Sequence, residues 1–221
     1  MSEQKIIINV GRQLGSGGHI IAERLAQMLH CQFLDREILC RAARESGFSE
    51  KFFEQNDENK GFLRGMLQMF TPHPNTGNLY RNGMSQASLF KFQSDAIRHA
   101  ADEGSCVFVG RGADYILRDY PNVLNVFITA DLDERVRRVA ERHQCDADHA
   151  LHIIRQREKE RASFYNFYTG KTWGAAESYH LCINSSVLGI DGTAQWLADY
   201  ARCAQKDTQT ELSNTPTDDN A

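Results

Sequence analysis

The segment IIINVGRQLGSGGHIIAERLAQML, residues 6 to 29, decides the fold of this 221-residue chain. It opens with a near-continuous apolar run, residues 5 to 10, of the kind found in a buried strand of a parallel sheet. A glycine-rich turn follows, and from residue 20 onward apolar side chains recur at helical spacing. A strand, a glycine-rich turn and a helix in this order offer backbone N–H groups and the positive end of a helix dipole to an anion. The segment therefore predicts a phosphate-binding loop.

The loop departs from the common pattern G-x-x-x-x-G-K-[ST], in which the lysine reaches the terminal phosphates and the hydroxyl binds magnesium. Gly18 stands in the place of the lysine, and His19 stands in the place of the hydroxyl. Arg12 is the only cation of the sequence inside the glycine loop, and we expect it to replace the lysine in part. The predicted phosphate-binding residues are Gly11, Gly15, Ser16, Gly17, Gly18 and His19. The alternative is a glycine-rich turn that merely brings a helix close to a strand.

Downstream, strands and helices are predicted to alternate. Strands are expected at residues 31 to 35, 105 to 110, 122 to 130 and 179 to 185, and helices at 36 to 47, 88 to 104, 131 to 143, 146 to 161 and 191 to 205. This alternation predicts an α/β fold with a parallel sheet, right-handed crossovers and helices on both faces. Residues 48 to 84 change in composition and are interpreted as an insert, and the polar tail, residues 205 to 221, is predicted to be disordered.

The composition excludes several classes of function. A net charge of −4 argues against a sequence-independent nucleic-acid binder, which needs a basic surplus. The N-terminal residues lack the apolar core of a signal peptide, and no apolar run approaches the ~20 residues of a membrane span, so a cytoplasmic location is expected. The six cysteines form no C-x-x-C pair and are interpreted as reduced, buried thiols.

Four separated blocks resemble the cytidylate kinase-like family, relatives of bacterial cytidylate kinases among the P-loop nucleoside monophosphate kinases. The blocks are GRQLGSGG (11 to 18), FLDREIL (33 to 39), VFVGRGADYIL (107 to 117) and RQREKERASFYNFYTGKTWG (155 to 174), the last preceding YHLCINSS. They span residues 6 to about 200, and their order and spacing are more specific than any one block. The resemblance implies a P-loop kinase fold with three layers, an acceptor-binding insert at about 48 to 84 and a lid at about 155 to 174.

The resemblance also implies an acceptor site. Asp35 and Arg41 have the spacing of the family's monophosphate-binding pair, and Arg111 matches the arginine of its Gly-Arg motif. The position of Asp35 at the C-terminal end of a strand suits a ligand site in an open α/β sheet. A helix N-cap role for Asp35 and a solvated helix face for Arg41 remain alternatives.

The basic run Arg155, Arg157, Lys159 and Arg161 resembles the family's lid, whose arginines close over the transferred phosphoryl group. Such cations suit phosphoryl transfer, which is accelerated mainly by positioning and electrostatic stabilisation. The predicted catalytic residues are therefore Arg12, Arg157 and Arg161. A salt-bridged helix with Glu158 and Glu160 is the alternative for part of the run. Asn184 and Ser185 resemble the loop beside the donor adenine.

The foremost functional hypothesis is ATP-dependent phosphoryl transfer to a nucleoside monophosphate, CMP or dCMP by resemblance, with Mg²⁺ delivered by ATP. Two alternatives stay open: a kinase for another small acceptor, and a non-catalytic nucleotide-binding or regulatory protein. The expected partners are ATP and the acceptor, with no nucleic acid and no membrane. The sequence leaves open whether the chain is a monomer or a homodimer.

Overall fold

The computed structural model describes residues 5–35 and 86–213, with side chains described at 5–35 and 90–204. The predicted helix at 36 to 47, Arg41 and the predicted insert at 48 to 84 lie outside these ranges. The chain divides into two compact units, Met1–Phe33 with Gly104–Ala221, and Leu34–Glu103. The glycine loop and most of the predicted site residues belong to the first unit.

The chain forms five strands, six helices and one 3-10 turn within the described ranges. In order these are β1 (Ile7–Arg12), α1 (Gly18–Met28), β2 (Gln32–Leu34), α2 (Gln86–Glu103), β3 (Cys106–Val109), α3 (Ala113–Ile116), β4 (Val123–Thr129), α4 (Leu132–His143), α5 (Ala147–Thr169), the turn Ala176–Ser178, β5 (Leu181–Asn184) and α6 (Ser185–Ser213). The strands form one sheet in the order β2-β3-β1-β4-β5. The predicted α/β fold with a parallel sheet is confirmed.

Strand β1 occupies the centre of the sheet and pairs in parallel with β3 and β4, while β4 pairs in parallel with β5. Ile8 and Val10 are fully buried in a core that α1 and α6 share with the sheet. Because successive strand residues point to opposite faces, this core lies on one face of β1. The glycine loop therefore begins at the end of the central strand of the sheet.

Several boundaries differ from the prediction. Strand β1 continues to Arg12, because Gly11 and Arg12 still pair with Phe127 and Ile128 of β4. Helix α5 continues eight residues past the predicted end at 161, to the αL residue Gly170. The final helix begins at Ser185, with Gly189 as a non-helical break, and reaches Ser213. It therefore extends into the segment predicted to be disordered, whose remaining residues, 214 to 221, are outside the described ranges.

The cysteines only partly match the prediction of buried thiols. Cys106 is buried, Cys31 and Cys145 are half-buried, and Cys182 and Cys203 are exposed, all as free thiols. Burial raises the pKa of Cys31 to about 11 and that of Cys106 to about 12, so both stay protonated at neutral pH. Cys40 lies outside the described ranges.

Across the described helices, none has the length and apolar character needed to cross a membrane.

Candidate functional site

The glycine loop forms a concave run of backbone between β1 and α1. Gly15 and Gly17 adopt left-handed conformations with φ of +81° and +76°, and Gly17 caps the N-terminus of α1. Within the described part of the chain, the N–H groups of these two glycines have no hydrogen-bond acceptor. Unpaired N–H groups at a helix N-terminus are suited to bind an anion. The predicted loop conformation is therefore present.

Two of the glycines let the loop approach neighbouring helices closely. A Cβ at Gly15 would lie 2.6 Å from the carbonyl oxygen of Arg135 on α4. A Cβ at Gly17 would lie 2.9 Å from Cγ1 of Ile190 on α6. Both positions also have positive φ, which disfavours any other residue. The loop is thus fitted between α4 and α6.

Arg12 fills the space that the missing side chain at Gly18 leaves. A Cβ at Gly18 would lie 2.6 Å from Cβ and 3.2 Å from Cγ of Arg12, so the aliphatic stem of the arginine crosses this position. At its far end, Nη1 of Arg12 lies against Gly110, just after β3, where a Cβ would overlap it. Arg12 therefore runs from the first residue of α1 to the end of the neighbouring strand.

Four charged side chains from α4 and α5 contact the backbone of the loop. Arg161 donates to the carbonyl of Arg12 at 3.1 Å, and Arg138 donates to the carbonyl of Gly15 at 3.1 Å. Arg135 and Glu158 both contact the backbone of Leu14. Burial lowers the pKa of Arg161, whose guanidinium nevertheless stays protonated at neutral pH because arginine titrates far above it. Arg161, predicted to contact a transferred phosphoryl group, thus contacts the loop backbone through one of its N–H groups.

Ser16 and Ser185 are fully buried and bond to the loop backbone. The hydroxyl of Ser16 donates to the carbonyl of Gln13 at 2.9 Å and accepts from the N–H of Gly18 at 3.3 Å. The hydroxyl of Ser185 donates to the carbonyl of Ser16 at 2.7 Å. Ser185, predicted to lie beside the donor adenine, thus contacts the glycine loop through its hydroxyl.

Asn184 lies at the junction between β5 and α6. Its amide donates to the carboxylate of Asp131 at 2.8 Å, and its carbonyl accepts from the N–H of Ser186 at 2.9 Å. The hydroxyl of Ser186 in turn accepts from the N–H of Asp131 at 2.9 Å. These bonds join the ends of β4 and β5 next to the loop. Both polar ends of Asn184 are thus used by the protein.

Arg111 lies in a turn with an unusual backbone. Gly110, Arg111 and Gly112 have φ of +74°, +67° and +66°, so three consecutive residues are left-handed. A non-glycine residue in this region costs roughly 1 kcal/mol or more, and such residues often occur at functional sites. The turn follows β3 directly and leads into α3, whose N-cap is Gly112. Its position at the C-terminal edge of the sheet agrees with a role in ligand binding.

Asp114 follows this turn and is buried against α5. It accepts a hydrogen bond of 2.6 Å from the hydroxyl of Tyr165, and it is 6% exposed. Burial raises the pKa of Asp114, although the bond from Tyr165 and the charge of Lys171 oppose the shift. Burial also raises the pKa of Tyr179, which contacts Tyr165, to about 12. This network joins the Gly-Arg-Gly turn to α5 and to the segment before β5.

Aromatic side chains pack together next to Gly11, at the start of the glycine loop. Phe127 of β4 contacts Trp173 at 5.2 Å and Tyr179 at 4.8 Å between ring centroids. A Cβ at Gly11 would lie 2.7 Å from the Phe127 ring. The aromatic cluster thus packs against the sheet and the loop, which agrees with a packing role.

The other predicted residues are placed as follows. Arg157 is on the outward face of α5, 63% exposed at its side chain, and pairs with Glu160 at 3.1 Å. His19 is exposed in the first turn of α1, with its ring edge-to-face to Phe33 at 5.3 Å. Asp35 directly follows β2 and is half-buried. Arg41 lies outside the described residues.

Sequence reasoning missed Arg135, Arg138 and the inward role of Glu158. A pattern that could have found Glu158 exists: Ile154, Glu158, Arg161 and Tyr165 fall at i, i+4, i+7 and i+11, one face of a helix. The two apolar ends of this stripe indicate that its charged members also point inward. Nothing local to α4 indicates its contact with the loop, which lies about 120 residues earlier in the chain.

The comparisons with known proteins identify the family of the chain. The model of the cytidylate kinase-like family matches residues 7–187. The chain belongs to the cytidylate kinase-like family. Membership supports a P-loop kinase that acts on a nucleotide or another small molecule. No curated protein matches the sequence.

Solved structures resemble this member of the cytidylate kinase-like family to different degrees. An uncharacterized protein from Eubacterium ventriosum ATCC 27560 is 27% identical with a TM-score of 0.68, covering 90% of this chain and 99% of that one. Shikimate kinase from Bacteroides thetaiotaomicron is 14% identical with a TM-score of 0.48, covering 89% and 98%. Shikimate kinase from Acinetobacter baumannii, in complex with shikimate, is 15% identical with a TM-score of 0.43, covering 97% of each chain. The two shikimate kinases are too distant to indicate a substrate for this chain.

Proposed function

We propose that the chain transfers the γ-phosphoryl group of Mg·ATP to a nucleoside monophosphate, with CMP or dCMP as the foremost acceptor. The bond between the γ-phosphorus and the β–γ bridging oxygen breaks, a phosphate oxygen of the acceptor forms the new bond, and ADP leaves. The observation that carries the proposal is the course of Arg12 across Gly18. The aliphatic stem of Arg12 thereby occupies the position of a side chain at residue 18, where an ordinary phosphate loop has its lysine, and the Arg12 guanidinium lies at Gly110.

The donor side of this reaction uses the glycine loop. The N–H groups of Gly15 and Gly17 bind the phosphate oxygens of ATP, and the Arg12 guanidinium supplies the positive charge near the transferred group. Arg161 acts through the carbonyl of Arg12, while the exposed Arg157 closes on the phosphates when ATP is bound. Magnesium arrives with ATP as part of the substrate. Across the described residues, no group of three or more His, Cys, Asp or Glu side chains could hold a metal ion.

The acceptor side uses Arg111, with Asp35 and Arg41 assigned by family resemblance. The strained Gly110–Gly112 turn places Arg111 after β3, and Arg12 ends against the first residue of the same turn. Two arginines at the ends of neighbouring strands suit an acceptor that carries an anionic group. The choice of cytosine rests on family membership.

Turnover with a panel of acceptors tests the proposal. ADP formation from Mg·ATP is measured with each nucleoside monophosphate and with a set of other small anionic acceptors. We expect turnover with CMP or dCMP above the other nucleotides. Turnover only with a non-nucleotide acceptor would instead select a kinase of other specificity, and nucleotide binding without any turnover would select a regulatory protein.

Two variants test the role of Arg12: R12A, and the double variant R12A/G18K. Loss of a charge-assisted contact of about 1.5 to 3 kcal/mol predicts that R12A lowers kcat about 10- to 150-fold. R24A is the control, because Arg24 lies on α1 and pairs with Asp191. In the double variant R12A/G18K the stem no longer blocks position 18, so the new lysine should restore part of the activity. Equal turnover of R12A and R24A would contradict the role of Arg12.

A further inference from the structure

Leu14, at the turn of the glycine loop, is held by its backbone on both sides and by its side chain. Its N–H donates to Oε1 of Glu158 at 3.2 Å, and its carbonyl accepts from Nε of Arg135 at 2.9 Å. Its side chain packs against the apolar cluster of Val139, Ala150 and Ile154 between α4 and α5. The orientation of the peptides next to Gly15 is therefore set from outside the loop.

Glu158 connects these contacts through one atom. The same oxygen, Oε1, accepts from the N–H of Leu14 and from Nη2 of Arg135 at 2.5 Å. The Arg135 side chain is 6% exposed and that of Glu158 is 20% exposed, so the pair is shielded from water. A charge-assisted bond in such surroundings holds its partners in a narrow range of geometry.

We propose that Glu158 is a positioning residue for the phosphate loop. By taking the N–H of Leu14 and fixing Arg135 on the Leu14 carbonyl, it holds the loop so that the N–H groups of Gly15 and Gly17 remain directed at the ligand. Its negative charge is neutralised by Arg135 and does not repel a bound phosphate. This role rests on the proposed function, because it assumes that the loop binds Mg·ATP.

Geometry and charge can be separated at this position because both contacts use one oxygen. Glu158→Gln keeps a carbonyl oxygen at the same distance from the helix and removes the charge. Glu158→Asp keeps the charge and withdraws the oxygen by about 1.5 Å, one C–C bond. Positioning requires reach, so the glutamine variant should resemble the wild type more than the aspartate variant does. A purely electrostatic role predicts the opposite order.

The experiment measures the Kd of Mg·ATP for wild type, E158Q and E158D by titration calorimetry, with E141Q and E141D as matched controls on the exposed face of α4, where Glu141 pairs with Arg137. The free energy of unfolding of each variant, from urea denaturation, sets the conditions under which all are folded. We expect E158Q to bind within about threefold of wild type and E158D to bind about tenfold or more weakly, the loss of one charge-assisted bond. Both Glu141 variants should bind like the wild type.

Two results would overturn the inference, and they are distinguishable from each other. Equal Kd values for E158D and wild type, or a Kd for E158Q as weak as that for E158D, would remove the positioning role while the wild type still binds Mg·ATP. Absence of Mg·ATP binding by the wild type would remove the proposed function together with this inference.

Discussion

Arg161 and Arg157 lie one turn apart on α5, and their guanidinium groups have different surroundings. Arg161 is half-buried and donates to the carbonyl of Arg12, 149 residues earlier in the chain. Arg157 is 63% exposed at its side chain and pairs with Glu160 three residues later. The inward face of α5 contacts the glycine loop and Asp114. It is defined by Ile154, Glu158, Arg161 and Tyr165. The outward face is exposed to solvent and includes Arg157, Glu160 and Phe167. A basic run in the sequence thus contains two kinds of arginine.

The largest difference between the two faces is expected from R161A and R157A. Loss of the bond from Arg161 to the loop should lower the free energy of unfolding by about 1.5 to 3 kcal/mol, as for other hydrogen bonds of charged groups. Loss of the exposed Arg157–Glu160 pair should cost no more than about 1 kcal/mol. Urea unfolding measures both values. Under the proposed function both variants lower kcat, so the free energy of unfolding, and not activity, distinguishes them. Equal losses of stability would contradict the difference between the two faces of α5.

Tyr165 and Phe167 extend the comparison to aromatic residues of the same helix. Y165F removes the hydroxyl that donates to the buried Asp114, which should lower the free energy of unfolding by about 1 to 3 kcal/mol. F167A truncates a side chain that is 78% exposed and should change it by no more than about 0.5 kcal/mol. Thermal unfolding of the two variants checks the difference. A larger cost for F167A would mean that the outward face is covered in the functional protein.

The smallest expected effect is the pH dependence of stability that comes from Asp114, which is bonded to Tyr165 on the inward face of α5. Burial raises the pKa of Asp114 above its ordinary value of 3.8, so the folded protein retains a proton that the unfolded chain has already lost. The stabilising contribution of Asp114 is therefore complete below 3.8 and declines as pH rises through the folded pKa. D114N keeps an acceptor for Tyr165 and lacks this titration.

The measurement is the free energy of unfolding of wild type and D114N from about pH 4 to pH 8. The stability of D114N relative to wild type should increase with pH and then become constant above the folded pKa. A difference that is constant over the whole range would show that Asp114 titrates normally.

Much of the fold could be predicted because local pattern and local structure coincide. Apolar runs located the five strands of the described ranges, and the glycines at 15 and 17 located the loop, since positive φ strongly favours glycine. The predicted helix ends at 161, eight residues before the end of α5, because its highly charged pattern stops there and an aromatic segment follows. In the structure Tyr165 lies on the buried stripe of the same helix, and Gly170 in the αL conformation ends it.

The contacts of the predicted site residues could be predicted only in part. Arg12 was proposed because no other cation lies in the loop, and its stem indeed occupies the space at Gly18. Arg161, predicted to contact the transferred phosphoryl group, donates one of its N–H groups to the carbonyl of Arg12. The hydroxyl of Ser185, expected beside the donor base, donates to the carbonyl of Ser16. The catalytic and binding roles of all these residues stay predictions.

The sequence by itself determined the order of the strands and main helices, the place of the glycine loop and the family of the chain, because these depend on periodicity, glycine positions and motif order along the chain. Only the tertiary structure decided which charged residues touch the loop. Arg135, Glu158 and Arg161 contact residues 12 to 14 across separations of 121, 144 and 149 positions. Such contacts depend on how α4 and α5 pack around Leu14, and local pattern shows only which face of a helix is buried.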